Sequence, residues 1–250
     1  MRSGFAVLAA AVSLLLTTVG VAGPIIIDHR HTDITALRQM QIDHAKSNLH
    51  IAYGHTSHGS QLITGMNTLD PFMHARHGTP TGLYTWNEGG TGGALDIDDR
   101  FASGDLGNPD RVTWAARTRT YLDHPANADV NVVIWSWCGQ VSSATPGDIN
   151  TYLGLMAGLE DDYRDITFVY MTGHLDGSGA SGNLNLRNQQ IRDYCVANDK
   201  VLYDFADIES FDPDGTVDFM ALNATDGCEY DADGDGNPSV SYTHLTLPTN

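Results

Sequence analysis

Short, continuous apolar runs that end at or close to a glycine recur along the chain. Leu49 to Tyr53 precedes Gly54, Val130 to Trp135 stops short of Gly139, Ile166 to Met171 stops short of Gly173, and Val201 to Phe205 is a fourth. With many β-branched residues and little polar alternation, these runs predict strands buried on both faces, as in a parallel sheet covered by helices. Between the second and third runs the apolar period lengthens: Ile149, Tyr152, Leu153, Met156 and Leu159 share one helical face. They follow Thr145-Pro146-Gly147-Asp148, a capping-box start with proline at the first helical position. Leu184 to Ala197, with Ile191, Tyr194 and Cys195, predicts another helix, and Leu62, Ile63 and Met66 a further one just after the first strand. Strand, helix, strand, helix, strand is the signature of an α/β protein, here a three-layer α/β/α sandwich around a mainly parallel sheet. Gly78 to Asp110, rich in glycine and aspartate, reads as long loops, and loops of that length in a compact domain usually line a site.

The two ends depart from this pattern. Arg2 followed by the apolar stretch from Phe5 to Val21 and the small residues Gly20, Val21 and Ala22 predicts a secretory signal peptide over 1–22, hence a secreted or periplasmic protein with no membrane partner after cleavage. Residues 241–250 lack the acidic character of the preceding segment and resemble translated adapter sequence, so the expectation is one domain over 23–240 whose natural C-terminal part is missing. The 250 residues carry 13 Lys and Arg against 31 Asp and Glu, a formal charge of −18 and a pI near 4.6. Such a chain repels phosphate backbones, which excludes nucleic acid as a natural partner. Cys138, Cys195 and Cys228 leave one disulfide possible with a third thiol over, and none stands in a CxxC spacing.

Chemistry concentrates in Gly54-His55-Thr56-Ser57-His58-Gly59-Ser60-Gln61, between the first strand and its helix. A serine there presents its hydroxyl at the carboxyl edge of the sheet, where N–H groups of the helix start can stabilise an oxyanion; its other role would be to cap the helix. Ile51 to Gly59 resembles the first block of the SGNH/GDSL hydrolases, with Ser57 at the place of the nucleophile. The resemblance implies a flavodoxin-like sheet and a secreted, serine-dependent ester hydrolase that forms an acyl-enzyme on an ester or acylated carbohydrate, without a required cofactor. Asn87 to Gly93 resembles the second block, which implies Gly90, or else Gly92, as an oxyanion donor. In Trp135 to Gln140 the third block's asparagine is absent, and Gln140, or else Ser136, takes its place. No DxxH follows Asp204-Phe205-Ala206-Asp207, so the family's base is either lost with the missing C-terminal part or replaced by His174, in Met171-Thr172-Gly173-His174, at the end of a strand opening on the same edge. His55 and His58 flank the serine as substrate-binding candidates.

Two readings from other classes stand beside this one. His55, His58, His174 and Asp176 together offer imidazole and carboxylate ligands for a divalent metal, the basis of a metal-dependent hydrolase. Trp86, Trp114, Trp135 and Trp137 offer faces on which sugars stack, the basis of a noncatalytic carbohydrate-binding protein, although Trp135 and Trp137 share one strand face and suit a core. Asp231, Asp233 and Asp235 alternate like the first half of a calcium loop and suggest a structural calcium away from the active site.

Overall fold

The computed structural model describes residues 23–212, 214–227, 229–231, 240 and 241. The expected signal peptide over 1–22, nearly all of the 241–250 tail and Cys228 lie outside the described residues. Seven parallel strands form one sheet: β1 (Ile25–Ile27), β2 (His50–Gly54), β3 (Trp86–Asn87), β4 (Leu95–Asp99), β5 (Val132–Trp135), β6 (Thr167–Met171) and β7 (Val201–Tyr203). Their spatial order is β1-β7-β6-β5-β2-β4-β3, with every pairing parallel. The helices are α1 (Gln39–Asn48), α2 (Ser60–His77), α3 (Thr113–Leu122), α4 (Pro146–Asp162), α5 (Asn183–Ala197) and α6 (Phe205–Ser210). A two-stranded antiparallel ribbon, β8 (Glu229–Tyr230) with β9 (Val240–Ser241), follows.

The strands alternate between two cores, which makes this a flavodoxin-like three-layer sandwich around the helix-covered parallel sheet that the apolar runs predict. Ile51 and Tyr53, Val132 and Ile134, and Val169 and Met171 face the layer of α1, α2 and α6, where Ile42, Leu62, Met66, Leu69 and Ile208 meet them. Val133, Trp135, Phe168, Tyr170 and Leu202 face α3, α4 and α5, packing on Trp114, Ile149, Tyr152, Met156 and Ile191. Both faces of the strands are dry, which is why they read as unbroken apolar runs. The α4 start forms as the sequence predicts: the Thr145 hydroxyl accepts from the Asp148 N–H, and the Asp148 carboxylate accepts from the Thr145 N–H at 2.7 Å.

The segment 78–110 is not all loop. It contains β3 and β4, hidden from a search for apolar runs because Leu95-Asp96-Ile97-Asp98-Asp99 alternates. Leu95 and Ile97 enter the α1/α2 core, while on the other face the Asp98 carboxyl accepts a hydrogen bond from the Tyr121 hydroxyl. Burial, with the charges of Asp96, Glu88 and Asp129 added, pushes the Asp98 carboxyl above the ordinary range.

Within the sheet, β4-β2-β5-β6-β7 is the doubly-wound order, with β1 and β3 added at its edges. The chain leaves β2 for β4 on one side and returns past it to β5 on the other. The carboxyl ends of β2 and β5 therefore splay their following loops apart and open a crevice at the topological switch point.

Candidate active site

Two glycines set the floor of this crevice. A Cβ on Gly54, the last residue of β2, would sit 2.4 Å from the Trp135 indole, and one on Gly59 would sit 2.3 Å from His55 Cβ and 2.4 Å from Ser136 Oγ. Only glycine lets the turn after β2 lie this close to the end of β5. From Ser57 to Gly59 the chain makes one 3-10 turn before continuing into α2, and Ser57 is exposed. Its N–H and the next ones stand at a helix start, where backbone donors have no partner within the helix.

His58 and His174 come together over this turn. Their rings stack with centroids 3.7 Å apart and planes inclined by 16°. The Asp226 carboxylate lies 3.3 Å from His58 Nδ1 and 3.7 Å from His174 Nδ1. Glu209, on α6, is buried; its Oε2 accepts the Leu175 N–H at 2.7 Å, and its Oε1 lies 3.8 Å from His58 Nε2. His174 Nδ1 donates to the Leu175 carbonyl at 2.9 Å. Because a carbonyl only accepts, this bond puts the proton on Nδ1 and leaves the lone pair on Nε2, the nitrogen facing Gly139 at the end of β5. The Gln61 amide donates to His58 Nε2 at 3.2 Å, so the His58 proton faces Asp226.

The other predicted residues are placed elsewhere or occupied. His55 is buried, with Nδ1 donating to the Thr56 carbonyl at 2.9 Å and Nε2 held by Asp99 at 2.6 Å, so both nitrogens are taken. The Gln140 carbonyl oxygen accepts from the Cys138 N–H at 3.1 Å and its NH2 faces Asp105 at 3.4 Å, which shapes the loop after β5. Ser136 is 1% exposed under Gly59, with no hydrogen-bond partner among the described residues for its hydroxyl. Gly90 packs on Asp96, whose carboxylate bonds His50, the first residue of β2. It thus lies at the amino end of the sheet, opposite Ser57. Asp176 is used in its own turn, accepting from the Ser178 N–H at 2.9 Å. Trp114, Trp135 and Trp137 are buried in the α3/α4/α5 core; Trp86 is half-buried, its indole N–H on Asn67. Cys138 and Cys195 are unpaired, and burial pushes the Cys195 thiol up. Asp231 is buried, its N–H donating to the Leu222 carbonyl, while Asp233 and Asp235 lie outside the described residues.

The metal set foreseen in the sequence is thereby divided. His58, His174 and Asp226 lie close enough to hold one ion, but an ion between two nearly parallel rings would sit out of the plane of both, and His174 Nδ1 is already protonated toward a carbonyl. Glu209, Asp226, Asp99 and Asp105 were not anticipated. Glu209 carries a signal, as an acid one position after Ile208 in a short helix whose other members include Phe205, Ala206 and Asp207; Asp226 sits in a turn with none.

No family model, no curated protein and no solved structure matches the chain.

Proposed function

We propose that the protein is a serine-dependent ester hydrolase working at the switch-point crevice, with Ser57 as nucleophile and His174 as proton acceptor. The observation that carries this reading is the His58–His174 stack, which sets an imidazole whose Nε2 has no hydrogen-bond partner among the described residues directly against the residue that follows the serine. In the proposed reaction Ser57 Oγ attacks the ester carbonyl while its proton passes to His174 Nε2. The tetrahedral oxyanion rests on N–H groups of the turn that starts at Ser57. Collapse breaks the C–O bond, the proton passes to the departing alkoxide, and a water molecule activated by the same nitrogen releases the acid and restores the serine. Asp226 and Glu209 act as positioning residues, holding the paired rings and the 174–175 backbone in place.

The test is labelling by a fluorophosphonate together with release of 4-nitrophenol from 4-nitrophenyl acetate, for the wild type, Ser57→Ala and His174→Asn. The expected result is loss of labelling in Ser57→Ala and a fall in kcat of roughly 10³-fold or more in both variants, unaffected by a chelator. Turnover that survives Ser57→Ala and is silenced by a chelator would instead favour the metal-centred reading on His58, His174 and Asp226.

A further inference from the structure

Among the described residues, three other than glycine have positive φ: Arg100 at 56°, Asp199 at 53° and Asn223 at 54°. Aspartate and asparagine tolerate the left-handed region; arginine has no side chain suited to it and visits it rarely. Such outliers persist where the surroundings over-determine them, and they gather at functional sites. Arg100 directly follows β4 and is pinned from both sides. Its N–H donates to the Tyr53 carbonyl at 2.9 Å, continuing the β2–β4 ladder, and its guanidinium donates to Ser60 Oγ at 3.0 Å.

The position of Ser60 gives this contact its meaning. Residues three apart in a 3-10 turn eclipse one another, at a rise of about 6 Å. Ser57 and Ser60 therefore share a face, and the left-handed backbone carries the guanidinium to about one turn from the proposed nucleophile. Arg100 is exposed and forms no ion pair with a carboxylate among the described residues. The nearest acid in sequence, Asp99, is bonded to His55. In a chain of charge −18, an unpaired cation held in a strained conformation beside the crevice matches a ligand of opposite charge, and a guanidinium fork suits a carboxylate.

We propose that Arg100 is the specificity-determining residue of the site and selects esters that bear a carboxylate about 6 Å from the scissile carbonyl. This rests on the hydrolase reading above. A short dicarboxylic acid esterified at one end has that span.

The experiment compares two acyl donors, the mono-4-nitrophenyl ester of glutarate and its neutral amide counterpart, 4-nitrophenyl glutaramate. Wild type is expected to favour the charged ester in kcat/KM by roughly 10- to 100-fold, the size of a charge-assisted hydrogen bond. Arg100→Gly, which accepts the positive φ without strain, is expected to abolish the preference through KM. Arg100→Lys, which keeps the charge but loses the fork, should retain part of it. An equal rate on both esters in wild type, or a preference unchanged in Arg100→Gly, overturns the proposal. If neither ester is turned over, the hydrolase reading fails. Calorimetric titration with monomethyl glutarate then decides the role of Arg100: binding lost in Arg100→Gly sustains carboxylate recognition, and no binding to wild type removes it.

Discussion

Gly59 carries the close approach on which the site depends. Because its missing Cβ would overlap both His55 Cβ and Ser136 Oγ, Gly59→Ala must push the Ser57 turn away from β5. Overpacking of this kind costs about 1–3 kcal/mol, so urea denaturation should show a loss of that size. The displaced turn should also lower kcat on 4-nitrophenyl acetate more than it raises KM. At this scale the sequence was informative about the placement of residues fixed by local chain geometry. Ser57 and His174 stand at strand ends, and a strand end can be read from an apolar run. It was uninformative about residues whose role depends on which loop lies opposite. His55 looks as available as His58 in the sequence, yet one faces Asp99 and the other His174, a choice set by β4 lying beside β2 and by the loop that leaves β6 two strands away. Gly90 misled for the same reason: a glycine-rich loop beside the wrong end of a strand has the composition of an oxyanion loop without its place.

Among the elements, the short 3-10 turn His29–His31 shows how a buried carboxylate, Asp28, can cap the turn that follows an edge strand. Burial alone would raise the Asp28 carboxyl, but hydrogen bonds from the Arg30 side chain and N–H, with the charges of Arg30 and His31, outweigh it and hold the group below its ordinary range. A depressed folded-state pKa stabilises the fold above the unfolded value of about 4 and ceases to do so as pH falls through the folded value. Asp28→Ala should therefore cost about 1 kcal/mol at pH 7, and the gap from wild type should narrow at pH 3, as equilibrium unfolding at the two values will measure. Elements were legible in proportion to their burial. β2, β5, β6 and β7 announced themselves because both faces are dry, and α4 because its capping box is local. β4 escaped notice because one face meets acids, and β1 because three isoleucines are too few to carry a period.

For the molecule as a whole, the acidic excess is a field that opposes compaction. Raising ionic strength from about 0.01 M to about 0.15 M shortens the screening length from about 30 Å to about 8 Å, so thermal unfolding should move to higher temperature over that range; a Tm independent of salt would contradict this. The alternation of strands and helices was enough to foresee the sandwich, because right-handed connections leave few ways to arrange parallel strands. It was not enough to place β1, which bypasses every intermediate strand to pair Ile25–Ile27 with Val201–Tyr203 at the far side of the sheet. That pairing governs the order of assembly. During synthesis β1 leaves the ribosome before β7 and must wait for it, since its hydrogen-bonding partner does not yet exist, and closing so long a loop is entropically costly until the intervening layers have condensed. The sheet thus completes itself from its centre outward, and the bare edge of β7 is sealed by the oldest segment of the described chain.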